Sequence, residues 1–90
     1  MMKMHLAARP ANEGARLLAR RIGADARGDL RLAAKWFGVG SELLQRVIAG
    51  EVVPGEELAM TFGARARIEA RAWRRPPACG WFEHPQVTAS

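Results

Sequence analysis

Arginine is the residue type in this sequence with the clearest chemical capability, because its guanidinium group binds phosphates and carboxylates through paired hydrogen bonds. The 90 residues include 14 lysines and arginines against 9 aspartates and glutamates, for a net charge of +5. One basic group lies on or beside residues 30–50: Arg16, Arg20, Arg21, Arg31, Lys35 and Arg46. A second follows: Arg65, Arg67, Arg71, Arg74 and Arg75. Such clustering is typical of a nucleic-acid-binding protein, with an arginine-rich solvated surface as the alternative.

Residues that commonly catalyse reactions or bind metals lack suitable spacing. Cys79 is the single cysteine, and His5 and His84 lie far apart, so neither a zinc site nor a catalytic cysteine is predicted. Ser41 lacks the G-x-S-x-G context of a nucleophilic serine. Residues 38–40 lack the third glycine and the preceding strand of a phosphate-binding loop. We therefore predict a protein that is not an enzyme and needs no metal or cofactor.

Residues 30–50 carry the clearest helical pattern, with apolar residues at helical spacing on both sides of a short interruption. Those residues are Leu30, Ala33, Ala34 and Phe37 before it, and Leu44, Val47 and Ile48 after it. Gly38 can adopt the left-handed conformation that ends a helix. Gly40 or Ser41 can then cap the next helix. The pattern predicts two short amphipathic helices joined by a tight turn.

This segment resembles the helix-turn-helix of the lambda-repressor-like (Cro/cI-type) family. That family has a small residue four positions before the turn glycine and two aliphatic residues, three apart, in the second helix. Its usual sequel is a glycine, a proline and an acidic residue. The matching residues here are Ala34, Gly38, Leu44, Val47, Gly50, Pro54 and Glu57. A small side chain at Ala34 lets the two helices cross closely. An ordinary helical hairpin in a small bundle is the alternative.

The resemblance implies that the second helix enters the major groove of DNA and that its outward residues read the bases. Gln45 would pair with adenine, and Arg46 with guanine or a phosphate. Leu43 would meet a thymine methyl group, Ser41 a phosphate and Glu42 a cytosine amino group. We also expect phosphate contacts from Arg31 and Lys35, in the first of the two helices of this motif. The predicted site therefore comprises Arg31, Lys35, Gly40, Ser41, Glu42, Leu43, Gln45 and Arg46.

Three further helices are predicted around this two-helix unit. The first runs from about Glu13 to Ile22, capped by Asn12 and ended by Gly23, with Gly14 weakening its start by up to about 1 kcal/mol. Asp29 caps the helix that opens the unit. The next runs from Pro54 to Gly63, with Glu56 and Glu57 at its start. The last runs from Ala64 to about Arg75, buries Ile68 and Ala72, and stops at Pro76-Pro77.

The predicted fold class is all-α, a compact bundle of about five short helices with a non-helical C-terminal tail. Residues 1–11 form an N-terminal arm, 12–75 the helix-turn-helix domain and 76–90 the tail. Trp81 and Phe82 are costly to leave in water. We therefore expect the tail either to pack on its own domain or to contribute to a dimer or partner surface.

These patterns lead to two hypotheses about function. The first is sequence-specific binding of double-stranded DNA by a small bacterial or phage transcriptional regulator, acting as a homodimer in the cytoplasm and associated with the nucleoid. The second is a protein-interaction module or antitoxin that binds a partner protein through Leu43, Trp36 and the tail.

A single cysteine favours a reducing compartment. No apolar run reaches the length of a signal peptide or a membrane span.

Overall fold

This computed structural model describes residues 2–83, which contain four α-helices and one 3₁₀ helix. They are α1 (Glu13–Asp25), α2 (Leu30–Phe37), α3 (Ser41–Ala49), α4 (Glu56–Ala66) and the 3₁₀ helix (Ala70–Arg74). The described residues contain no β-strand, and their isolated β-bridge joins Lys3 to Asp29. The all-α prediction is therefore confirmed, with four α-helices instead of five. His84 and the rest of the predicted tail, residues 84–90, lie outside the described part.

Side-chain caps begin the first two helices. Asn12 accepts a hydrogen bond from the Ala15 backbone N–H at 2.7 Å, and Asp29 accepts one from the Arg31 backbone N–H at 3.0 Å. Both caps match the sequence prediction, because each satisfies a backbone donor that the first helical turn leaves unpaired. Gly40 is the N-cap of α3 and supplies no side-chain bond.

The bounds of two helices differ from the sequence prediction, and α4 begins at Glu56, two residues after the predicted Pro54. The first helix continues past Gly23 to Asp25, and α4 continues past Gly63 to Ala66. An interior glycine costs about 1 kcal/mol relative to alanine. In α4 this cost is offset because Phe62 and Ala66, on either side of Gly63, are both buried in the core. Burial of apolar neighbours therefore outweighed the tendency of glycine to end a helix.

The core lies where α1 packs against α3, α4 and the 3₁₀ helix, while α2 packs against α3 and α4. Phe62 on α4 is fully buried near its centre. Its ring centroid lies 5.2 Å from that of Phe37 on α2, edge to face, and 5.3 Å from that of Trp73. Such aromatic pairs add stability beyond the burial of their area. Phe62 thus links α2, α4 and the 3₁₀ helix.

The predicted fifth α-helix, from Ala64 to Arg75, is wrong. Residues 64–66 complete α4, the chain reverses at Arg67, and residues 70–74 form the 3₁₀ helix. Ile68 and Ala72 are buried as predicted, and the reversal also buries Trp73. The indole of Trp73 lies so close to Gly14 that a Cβ at position 14 would overlap it. Gly14 therefore makes room for Trp73, which accounts for a glycine in the first turn of α1.

Glu13 connects α1 to the segment after the 3₁₀ helix. Its carboxylate accepts from Arg16 Nε at 2.7 Å and from the Ala78 backbone N–H at 2.8 Å. Its own N–H donates to the Arg75 carbonyl at 3.0 Å. Both members of the Glu13–Arg16 pair are buried, and the hydrogen bond from Arg16 holds the pKa of Glu13 below its usual value. A buried charge pair needs additional hydrogen bonds to offset the loss of water; Ala78 supplies one to the Glu13 carboxylate, whereas Arg16 Nη1 is buried without a partner.

Trp81 packs on its own domain, which is one of the two outcomes expected for the tail. Its side chain is buried, and its Nε1 donates to the Ala7 carbonyl at 2.7 Å. Phe82, the next residue, stays 57% exposed. The described part of the tail therefore closes over the start of the chain through one of its two aromatic residues.

Candidate nucleic-acid interface

The turn between α2 and α3 is held by hydrogen bonds to one carbonyl. The backbone N–H groups of Gly38 and Val39 donate to the Ala34 carbonyl at 2.9 and 3.2 Å. Gly38 has a φ of 69°, the left-handed conformation predicted for it. Ala33 is fully buried, whereas Ala34 is half-buried against the core. The two helices therefore meet through a tight, locally determined turn.

The helix α3 has one core face and one solvent face. Leu44, Val47 and Ile48 are fully buried. On the opposite side Glu42 and Arg46 are exposed and lie one helical turn apart. A carboxylate and a guanidinium therefore point away from the core in one row.

Three of the predicted site residues lie on the flanks of α3. Ser41, Leu43 and Gln45 are half-buried, and Leu43 packs partly against the core. Gly40 precedes them as the exposed N-cap. A contact from these flanks to a large ligand is therefore more restricted than one from Glu42 or Arg46.

The solvent face of α2 mixes charge with apolar area. Arg31 and Lys35 are exposed, one helical turn apart. Leu32 and Trp36 are each 39% exposed, also one turn apart. This surface combines two cations with two large apolar side chains, so it offers phosphate contacts and apolar contacts side by side.

Gln45 has a different partner from the base predicted for it. Its Nε2 donates to the His5 carbonyl at 2.8 Å, and its Oε1 accepts from the His5 N–H at 2.9 Å. Adenine offers a side-chain amide the same combination of one donor and one acceptor. The N-terminal arm therefore occupies the groups with which Gln45 was expected to read DNA.

The arm is also anchored on either side of His5. At its start the Leu30 N–H donates to the Met2 carbonyl at 2.7 Å, and the Met2 N–H donates to Asp29 Oδ1 at 3.2 Å. The hydrogen bond from Met2 contributes most to lowering the pKa of Asp29. Further along, Ala7 accepts from Trp81. The arm has no periodic pattern, so the sequence carried no signal for its contact with Gln45 on α3.

Residues 2–83 contain no group of three or more histidine, cysteine, aspartate or glutamate side chains placed to hold a metal ion. In the same residues, every helix is too short or too polar to cross a membrane. Comparisons with protein-family models, with curated proteins and with solved structures found no match to this chain. Function is therefore inferred from the residues of the chain and their geometry.

Proposed function

We propose that the protein binds double-stranded DNA through α2 and α3, as a small transcriptional regulator. The observation that supports this most is the solvent face of α3. Its apolar residues are buried on one side, while Glu42 and Arg46 project from the other. An α-helix that presents long polar side chains in this way fits the width of the major groove.

Each exposed side chain has a role in the proposed complex. Arg46 would donate to O6 and N7 of guanine, and Glu42 would accept from N4 of cytosine. Arg31 and Lys35 on α2 would bind phosphates, which positions the protein without reading sequence. Gln45 would hold the arm beside α3. The preferred half-site should therefore contain a guanine–cytosine step.

A homodimer is part of the proposal because one unit of this size covers one half-site. Regulators of this kind gain affinity by placing two copies on a palindrome, with half-sites about one helical turn apart. A cytoplasmic location belongs to the same proposal, since that is where bacterial DNA lies.

The test begins with selection of bound sites from a random duplex pool, followed by anisotropy titrations of the selected site and of random DNA. Arg46→Ala should cost about 1–3 kcal/mol on the selected site and less on random DNA. Lys35→Ala should weaken both alike and reduce the salt slope by about one unit. Arg74→Ala removes an exposed arginine outside the unit and is the control. Equal effects of Arg46→Ala and Arg74→Ala would contradict the proposed groove contact.

Protein binding is the second candidate function, and the apolar pair Leu32 and Trp36 on α2 favours it. Partly exposed large apolar side chains, tryptophan above all, are common at protein interfaces. An antitoxin would use this surface together with DNA binding. The salt dependence of the affinity distinguishes the two activities. Affinity for DNA falls by orders of magnitude between about 50 and 200 mM salt, whereas the affinity of an apolar protein contact changes little. If a Trp36→Ala variant keeps full affinity for a copurifying partner, the surface of Leu32 and Trp36 is not the partner-binding site.

A further inference from the structure

Among residues 2–83, two non-glycine residues have a positive φ, and both are arginines. They are Arg27, with φ 54°, and Arg67, with φ 57°. Glycine adopts this left-handed conformation without the steric cost that a Cβ imposes. A non-glycine residue held there suggests that its side chain has a role of its own.

Arg67 ends α4 in the position that glycine takes at the ends of α2 and α3. Gly38 and Gly50 are the left-handed C-caps of those two helices. At the end of α4 the same conformation belongs to Arg67, whose N–H donates to the Gly63 carbonyl at 3.1 Å. A glycine would close this helix at lower steric cost, so backbone geometry does not account for arginine.

Arg67 borders an open cavity of about 330 Å³ between α1 and the end of α4. Arg20 and Arg21 of α1 border it as well, and no acidic residue is among those that line it. Ala66 and Ile68, both buried, contribute apolar lining. Three arginines therefore border one open concave space that also has apolar lining.

The two arginines on α1 both have partners. Arg20 donates through Nη1 to the Glu83 carbonyl at 3.0 Å, which orients its guanidinium. Arg21 pairs with Asp25 at 3.3 Å, and both side chains of that pair are more than 40% exposed. An exposed pair of this kind contributes little to stability and is readily exchanged. A stronger anion can therefore compete with Asp25 for Arg21.

We propose that Arg20, Arg21 and Arg67 bind a phosphate group, free or carried by a small molecule. A guanidinium donates paired hydrogen bonds to phosphate oxygens. The three positive charges more than offset the charge of a phosphate group, about −2 near pH 7. The cavity volume lies within the range of small-molecule sites, roughly 300–1,000 Å³. Apolar lining favours a compact ligand over an extended phosphodiester chain. The lining residues come from α1, α4 and the segment that follows α4, so this site is separate from the face proposed to bind DNA.

The test is calorimetric titration of the full chain, without DNA, at constant ionic strength set by sodium chloride. The probes are inorganic phosphate, glycerol 3-phosphate and an eight-residue oligothymidylate. Arg67→Gly removes the guanidinium and suits the backbone, so it should weaken binding of the first two probes at least tenfold while the unfolding temperature stays the same or rises. Arg67→Asn, which also tolerates this conformation, should have the same effect on binding.

Arg27→Gly is the matched control, because it relieves the same backbone conformation outside this cavity. It should leave the affinity for phosphate unchanged. Binding of either phosphate probe that depends on Arg67 and not on Arg27 supports the proposal, and the relative affinities show whether the ligand is free or organic phosphate. Absence of binding, equal affinity in all variants, or binding of the oligothymidylate alone would overturn it. None of these outcomes depends on the proposed DNA-binding function.

Discussion

Two regions of this small protein obtain their conformation in different ways. In residues 29–50 the caps and the turn depend on near neighbours, such as Asp29 at the start of α2 and Gly38 at its end. In residues 64–83 the conformation depends on distant partners. Trp73 lies against Gly14, and Trp81 donates to Ala7.

This difference shows how the candidate interface keeps a free polar face. The turn of the α2–α3 unit is closed by its own backbone hydrogen bonds, and its apolar residues are buried on the side facing the core, which leaves Glu42 and Arg46 exposed. The later segment supplies burial that the short helices lack, since a chain of this size has a limited core. Variants that affect one region and spare the other can therefore test the contrast.

The largest effect is expected from Trp73→Ala in the later segment. Removing this buried indole leaves a cavity beside Phe62 and Gly14 and should cost about 3–5 kcal/mol of unfolding free energy. Chemical denaturation followed by circular dichroism measures it. Trp36→Ala is the matched control, because that tryptophan is 39% exposed, and its cost should stay below about 1 kcal/mol. Similar losses in the two variants would contradict the assignment of Trp73 to the core.

A smaller, pH-dependent effect is expected from Glu13→Gln, which weakens the link between α1 and the later segment. The hydrogen bond from Arg16 lowers the pKa of Glu13 from its usual 4.5. Its contribution to stability is therefore complete above about pH 4.5 and is lost as the pH falls through the lower pKa of the folded state. Glu13→Gln should cost about 2 kcal/mol at pH 7, because it leaves Arg16 buried without its charged partner.

Denaturation of both proteins between pH 7 and pH 2 measures this difference. The gap between wild type and Glu13→Gln should narrow below about pH 4.5. Glu42→Gln, at an exposed carboxylate, is the control and should follow the wild type. A gap that stays constant down to pH 2 would show that the charge of Glu13 does not stabilise the fold.

The smallest effect is expected in the α2–α3 unit, from Gly38→Ala. No atom lies within 4 Å of a Cβ built at this position, so the cost arises from the left-handed backbone alone. It should be about 1 kcal/mol. Gly40→Ala, two residues later, has a φ of −71° and the same open surroundings. If thermal unfolding shows equal losses for the two variants, the turn does not depend on the conformation of Gly38.

The sequence by itself determined the parts of this protein that depend on near neighbours. Helical spacing identified the buried face of α3, with Leu44, Val47 and Ile48 in the core. Side chains that bond to backbone groups two or three residues away identified the caps at Asn12 and Asp29. The left-handed turn at Gly38 followed from the missing Cβ of glycine. The position of Glu42 and Arg46 on the solvent face then follows from that of the core residues.

Only the tertiary structure decided what the unpatterned segments contact. Gln45 bonds to His5, forty positions away, and almost every peptide group offers the same donor and acceptor, so the sequence does not indicate which peptide is bound. The reversal at Arg67 likewise depends on burying Ile68 and Trp73 against elements formed earlier in the chain. Gly63 stays helical because its neighbours reach the same core. In each case the deciding free energy comes from contacts between distant residues, which local propensity does not contain.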